Sequence, residues 1–465
     1  MMPACYLEPP SGPACPIHSL PLELIIKIFT HCSNDTVTSI IKLTHICGRW
    51  RAIAFGAPLL WTNLPLLRTQ AAKEEHVQLI HEWLHRAAGH PVRLELQSPY
   101  HPACRSRWPN YKDSAIPSIM SGLLRMPPSG YREPATAIGQ LRLYGTPEEI
   151  LDVTSVVPAG AFSQLSRLTI SCHLVHDGHP PICSPILPFC YSPHLREFVV
   201  EALSQLTTRP IKDMIIVPWS QLTNLVVDQV LPAHQYLDVF RQCTALVTAS
   251  LFGIDVGEAS PTEIVKFSSL QHLEYRLSVW PTALFHIGDF PALRILTLEP
   301  PCNCPRRWNW GLDREDLLDV AHRLPALCKI TIRRADTRRV EGDIMDFLKA
   351  LPATLDYLRL DRCRVRKDLF TRLRVHAGDE APALPHLTTL SLVDTYLDEF
   401  LPADSRAAEE ELYQLVESRI YSAQVEHLRN FEFSYEGERT LDAGISARVR
   451  ALASDSLVVR LAGGT

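Results

Sequence analysis

The chain has 465 residues, of which 46% are hydrophobic and 21% charged, enough apolar material for a large core or one long continuous core. Its 46 Lys+Arg against 51 Asp+Glu leave a net charge of −5, with no basic tail and no acidic run, which argues against electrostatic binding of nucleic acid and against a solvated acidic tail. No window holds the roughly 18 uninterrupted apolar residues of a membrane-spanning helix, Met1 to Ser19 lacks the pattern of a secretory signal, and the 13 cysteines follow no regular framework, so reduced thiols in the cytoplasm and/or nucleus are expected.

Residues 1–16 contain Pro3, Pro9, Pro10, Pro13 and Pro16 and are expected to form a flexible lead-in. Helical patterning starts directly after them. Leu22, Ile25, Ile26 and Phe29 form one stripe, and Leu24 and Ile28 form an adjoining one four residues apart. Pro21 suits the first helical position, and Ser33, Asn34 and Asp35 suit a loop. A second helix carries Val37, Ile40, Ile41 and Thr44 and is expected to stop near Gly48. A third, Arg49 to Phe55, ends at Gly56 and Pro58. Three short helices with apolar residues on more than one face have surplus apolar surface, which suggests a partner.

Three strings in this head carry a resemblance. Leu20-Pro21-Leu22-Glu23-Leu24-Ile25-Ile26-Lys27-Ile28-Phe29, then Leu43-Thr44-His45-Ile46-Cys47-Gly48-Arg49-Trp50-Arg51-Ala52-Ile53-Ala54, then Pro58-Leu59-Leu60-Trp61, resemble an F-box in order and spacing. Ile46 stands where Val is commoner, and Gly48 where Arg or Lys is usual. The segment Ile80 to Leu96, with Trp83, Leu84, Arg86, Pro91, Leu94 and Leu96, is similar to one that follows the F-box in mushroom-type fungal F-box proteins. The resemblance implies an F-box over 17–64 that docks on a Skp-type adaptor and through it on a cullin–RING ubiquitin ligase. It implies docking residues Leu20, Pro21, Leu24, Ile25, Ile28, Leu43, Ile46, Cys47 and Trp50. Trp61 is expected in the core where head meets body, and residues 65–97 as a helical connector into a first strand.

Beyond the connector the rhythm changes to L-x-x-L-x-L. It opens at Ile138/Leu141/Leu143 and continues through Leu165/Leu168/Ile170, Leu195/Phe198/Val200, Leu222/Leu225/Val227, Leu246/Ala249/Leu251 and Leu270/Leu273/Tyr275. Leu293/Leu296/Leu298, Leu327/Ile330/Ile332, Leu355/Leu358/Leu360 and Leu387/Leu390/Leu392 follow, and Leu428/Phe431/Phe433 closes the series. The first positions lie 27, 30, 27, 24, 24, 23, 34, 28, 32 and 41 residues apart, mostly near or just above a leucine-rich-repeat period. The last two positions alternate, so one short strand sends both inward. The expected fold is therefore mixed α/β (α+β): a three-helix head, then an irregular leucine-rich-repeat solenoid, horseshoe or arc, over 98–465. Helical returns fit Pro232 to Gln242 and Arg314 to His322. The usual Asn or Cys three residues after the last apolar position is mostly missing, with Cys363 the clear exception.

Three inserts interrupt the rhythm: 171–194, 300–313, and 395–427 with the acidic, helical-looking stretch Glu409-Glu410-Glu411 through Glu417. In the second, Arg306, Arg307, Trp308 and Trp310 are residue types that often carry interface energy. They are the candidates for holding an unidentified protein substrate, and the commoner alternative is that the tryptophans fold back onto the repeats. The first insert gathers Cys172, His173, His176, His179, Cys183, Cys190 and His194, but without the tight pairs of a structural zinc site. Pro180, Pro181, Pro185 and Pro188 favour a surface loop there.

His81-Glu82-Trp83-Leu84-His85 matches H-E-x-x-H, which on a helix would set two imidazoles and a general base on one face. The extended form fails, because Ala88 occupies the Gly place and His90 is out of register. Phosphate-loop, dinucleotide and nucleophile-elbow motifs are absent. The expectation is a non-catalytic adaptor with no cofactor and no metal, binding neither nucleic acid nor membrane. A repeat scaffold working outside the ligase and a zinc hydrolase using His81, Glu82 and His85 are the alternatives.

Overall fold

The computed structural model describes residues 16–35, 39–64, 67–68, 74–97, 116–124, 134–172, 185–186, 188–201, 211–228, 231–252, 254–255, 264–276, 288–299, 322–334, 345, 347–349, 351–376, 378, 381–397, 402–436, 440–454 and 456–462. The chain divides into two compact units, one comprising 1–168 with 188–194 and the other 169–187 with 195–465.

The first unit begins with the three head helices, α1 (Leu22–Asp35), α2 (Ser39–Ile46) and α3 (Gly48–Phe55). Pro21 sits one residue outside α1, and its carbonyl accepts from the N–H groups of Leu24 and Ile25. The helix also runs on through Ser33 and Asn34. Their poor propensity costs at most about 0.7 kcal/mol each, less than the roughly 1.5–3 kcal/mol that burying Phe29 contributes. Gly48 does not stop α2; it opens α3. Cys47 makes the break, with extended backbone and its Sγ accepting from the N–H of Trp50. After a short 3₁₀ turn at Pro58–Trp61 come β1 (Leu67–Arg68), α4 (Glu74–Arg86) and β2 (Val92–Gln97). Then follow α5 (Ile116–Leu124), β3 (Ile138–Gly145) and α6 (Pro147–Val156). The three strands are parallel, with Leu94 beside Leu141 and Leu96 beside Leu143. Thr146 and Glu149 close a capping box on α6.

β4 (Arg167–Cys172) has residues on both sides of the division. Among the described residues, ten parallel strands of the second unit follow one another in chain order along its main sheet. They are β5 (Glu197–Glu201), β6 (Asn224–Asp228), β7 (Thr248–Phe252), β8 (His272–Arg276) and β9 (Ile295–Glu299), then β10 (Lys329–Arg333), β11 (Tyr357–Asp361), β12 (Thr389–Leu397), β13 (Asn430–Tyr435) and β14 (Val458–Leu461). Between them lie α7 (Ala233–Phe240), α8 (Lys367–Leu373), α9 (Pro402–Tyr421) and α10 (Ala443–Ala451). The helix foreseen around 232–242 is α7, and the acidic insert is helical as α9. Of the return foreseen at 314–322, only His322 is described.

Every apolar position of the eleven repeats is buried. The register makes two unbroken rows of the inward pairs. One row runs Phe198, Leu225, Ala249, Leu273, Leu296, Ile330, Leu358, Leu390, Phe431, and the other keeps the same step two residues on. The repeats do not end at Phe433. β14 adds Val459 beside Phe431 and Leu461 beside Phe433, a strand too short and too loosely patterned to read from sequence.

A third row was not legible as a repeat. Leu165, Leu222, Leu246, Leu293, Leu327 and Leu387 are each delivered by a turn in which the leucine N–H bonds the carbonyl three residues back, at Phe162, Trp219, Cys243, Phe290, Leu324 and Leu384. Those residues are buried as well. The turns read Phe-Ser-Gln-Leu, Trp-Ser-Gln-Leu, Phe-Pro-Ala-Leu and Leu-Pro-Ala-Leu, so the signal is an apolar residue, Ser or Pro, then any residue before Leu. Behind them Phe240, Phe267 and Phe290 pack ring to ring at 4.9 and 4.8 Å.

The scarcity of the expected Asn or Cys has a backbone explanation. Where it exists, Cys363 is buried and its thiol donates to the carbonyl of Ile332. At the strand entries, pairs of successive N–H groups share one carbonyl of the previous repeat. Thr223 and Asn224 use Arg196, Val247 and Thr248 use Thr223, and the ladder continues to Arg429 and Asn430 on Thr388. Arg334 and Arg362, just past β10 and β11, take left-handed backbone with φ of 52° and 55°, and their N–H groups reach the next strand's carbonyls, Asp361 and Val393.

The longest insert needs its own fastening. Arg419 of α9 is fully buried and donates to the carbonyls of Leu373, Ala383 and Leu384 at 2.6–3.0 Å. Burial pushes its pKa down to about 10, so it stays charged at neutral pH. Leu373 ends α8, where unsatisfied carbonyls favour a cation. Replacing Arg419 with Met should cost at least about 2 kcal/mol in urea unfolding, because several buried acceptors lose their donor. Phe290→Ala should cost about 3–5 kcal/mol by opening the ring stack.

Candidate docking surfaces

The stripes of α1 divide between core and surface, though not cleanly, since Leu22 of the first stripe is exposed and Ile26 half-buried. Ile25 and Phe29 are fully buried, whereas Leu24 is 48% and Ile28 38% exposed, with Leu22 exposed beside them. On α2, Ile40, Leu43 and Thr44 turn inward, and Ile41 and the 58%-exposed Ile46 turn outward. Seven of the fourteen large apolar residues exposed among the described ones lie within 22–59, Phe55 and Leu59 completing the set. That concentration marks the head as a surface for a partner.

Of the nine anticipated docking residues, Leu24, Ile28 and Ile46 present apolar area, Pro21 is exposed, and Leu20, Cys47 and Trp50 are half-buried. Ile25 and Leu43 are not available as surface. Both are core residues, because helix periodicity places them on the stripe that meets the neighbouring helices. Trp50 packs on Phe29 with ring centroids 4.9 Å apart. Arg51 Nε donates to the carbonyl of Thr44, tying α3 to the end of α2. Trp61 is buried, donates Nε1–H to the carbonyl of Ala54 and meets Trp83 of α4 edge-on at 4.7 Å. The Arg86 guanidinium lies over both Phe55 and Trp61, at 4.4 and 4.7 Å. Head and connector therefore share one aromatic core within the first unit.

The H-E-x-x-H residues do lie on a helix, α4. His81 Nε2 faces the carbonyl of Gly122 at 3.4 Å, and Glu82 pairs with Arg86 at 3.3 Å. Among the described residues no group of three His, Cys, Asp or Glu side chains is placed to hold a metal. Cys172, Cys190 and His194 of the other candidate cluster are described, with Cys172 buried. His173, His176, His179 and Cys183 lie outside the described residues, as do Arg306, Arg307, Trp308 and Trp310.

The outward face of the second unit's sheet is polar, and sequence reasoning did not single it out. Its charges alternate across the strands. Arg276 lies 3.6 Å from both Asp228 and Glu274, Arg333 reaches Glu274 at 3.0 Å and Glu299 at 3.4 Å, and Arg359 lies 3.6 Å from Asp361 and 4.0 Å from Glu432. Ser391 donates to Glu432 at 2.6 Å. The available signal was the charged or hydroxylic residue between the two apolar positions of the strands from β7 on, such as Glu274, Thr331, Arg359 and Glu432.

Comparison with known proteins follows this division. Residues 17–66 form an F-box-like domain. The match ends within the first unit, and no curated protein sequence matches the chain. Among solved structures the chain is similar to one titled "Crystal structure of TLR13-ssRNA13 complex", at 13% identity and a TM-score of 0.20, covering 63% of this chain and 52% of that one. Among the described residues, no helix is long and apolar enough to cross a membrane.

Within the F-box-like domain, burial separates packing from docking. Ile25→Ala should lower stability by about 2–5 kcal/mol, and Leu24→Ala should change it by no more than about 0.5 kcal/mol. Thermal or urea unfolding of the two variants reads the difference directly.

Proposed function

We propose that the chain is the substrate-recognition subunit of a Skp–cullin–F-box ubiquitin ligase. One observation carries the reading: the F-box-like domain leaves Leu24, Ile28 and Ile46, at motif positions, exposed while Ile25, Phe29 and Leu43 hold the helices together. Burying the exposed halves of three such side chains against a Skp-type adaptor would contribute roughly 1 kcal/mol each. Through that adaptor the chain joins a cullin–RING ligase.

The repeats, arranged as a leucine-rich solenoid, hold a target protein. The two inward rows keep the sheet rigid, and its polar outward face supplies side chains for recognition. The chain acts as a non-catalytic adaptor. It raises the effective concentration of target lysines near a separate ubiquitin-conjugating enzyme, and no residue of its own enters the bond chemistry. Targets are thereby marked for ubiquitin-dependent degradation, in the cytoplasm and/or nucleus.

The Leu24→Asp/Ile46→Asp double variant should lose at least about 100-fold in adaptor affinity, since two charges would be desolvated against apolar partner surface. Titration of the purified Skp-type adaptor against wild-type and variant chains measures this. Wild-type affinity in the variant, at unchanged thermal stability, would sink the docking assignment. No adaptor binding by the wild type would favour a scaffold outside the ligase.

A further inference from the structure

Most cations on the outward sheet face of the second unit are already spoken for. Arg276 and Arg333 sit among Asp228, Glu274 and Glu299. Lys329, at the start of β10 on the same face, is different. Its register neighbours are Ile295 on β9 and Tyr357 on β11, neither of them acidic. Its ammonium lies 5.6 Å from the Tyr357 ring centroid, and among the described residues it has no ion pair. The neighbouring cation, Arg359, is loosely held, 3.6 Å from Asp361 and 4.0 Å from Glu432. Thr331 stands two residues beyond Lys329 and directly opposite Arg359.

These positions make a small patch. Ile295, Lys329 and Tyr357 form one row across three adjacent strands, and Thr331 with Arg359 lies below it. Strand neighbours on one face are close enough for their side chains to meet a single ligand group. A carboxylate over Thr331 would find an ammonium, a guanidinium and a hydroxyl donor. An apolar side chain beside it would find Ile295 and the Tyr357 ring. Asp361 and Glu432 already offset Arg359, so the surplus is the single charge of Lys329. That surplus matches a carboxylate and leaves a dianion half uncompensated.

We propose that this patch reads an extended segment of a partner protein in which an aspartate or glutamate adjoins an apolar residue. The inference rests on the reading that the second unit holds the target, and it names the chemistry that the face selects. The sheet face is built for this by register: the strands that align the inward rows necessarily align Lys329, Tyr357, Thr331 and Arg359 on the other side.

The test uses the full chain and fluorescein-labelled GSELELELSG, with GSQLQLQLSG and a version carrying one phosphoserine in place of the central glutamate, read by fluorescence anisotropy. The acidic peptide should bind about tenfold more tightly than its glutamine counterpart, and Lys329→Glu should remove that advantage. Arg460→Glu, which reverses an exposed face cation on β14 outside the patch, should leave it unchanged. Equal binding of the acidic and glutamine peptides would overturn the proposal. So would an undiminished preference in Lys329→Glu, an equal loss in Arg460→Glu, or tighter binding of the phosphorylated peptide. The Leu24→Asp/Ile46→Asp variant separates this from the ligase reading, because it should retain the peptide preference while losing the adaptor. A wild type that binds adaptor but shows no peptide preference would defeat the patch alone.

Discussion

No repeat of this chain can bury its own inward side chains. A strand of five residues presents two of them, and only the strands on either side can cover them. Everything else in the second unit follows from satisfying that need in register. The shared carbonyls at the strand entries hold neighbouring repeats at a fixed step. Buried residues three ahead of several leading leucines, among them Phe162, Trp219, Cys243 and Phe290, fill the space behind the strands. Because both inward rows must stay aligned, a slip of one residue would put every leucine into water.

Insertions are tolerated under this constraint only when they are fastened separately. The spacing before β13 stretches to 41 residues, and the extra chain becomes α9. It is held by Arg419 on the carbonyls at the end of α8, and by buried Glu409, which accepts from the Tyr435 hydroxyl and from the N–H of Asp442 at 3.0 Å. Polar groups do here what in-register leucines do elsewhere. Left unpaired they would cost more than the hydrogen bonds contribute.

The head solves the opposite problem. Its helices are too short to bury all their apolar residues, and the surplus stays on the outside at Leu24, Ile28 and Ile46. In the second unit the apolar residues point inward and the charges outward, paired across strands. The F-box-like domain therefore offers a hydrophobic contact, and the sheet face an electrostatic one. The two surfaces differ in chemistry, one apolar and one charged.

The inward rows were legible in the sequence because a strand's period of two and a motif that recurs along the chain both leave marks in one dimension. The F-box-like segment was legible for a similar reason, since its motif blocks lie within residues 20–61. Sequence alone could not divide the α1 stripes into core and surface. Ile25 and Leu24 are adjacent, equally apolar, and distinguished only by which side α2 and α3 occupy. Nor could it show that Cys47 rather than Gly48 breaks α2 from α3, or that Arg419 would be buried among carbonyls from 373 and 384. The charge network is the clearest case: Glu274 and Arg333 are 59 residues apart in the chain and 3.0 Å apart in space. Periodicity thus determined which residues lie inside. Which residues meet was decided by the tertiary structure, because long-range packing brings together side chains whose separation in sequence carries no period.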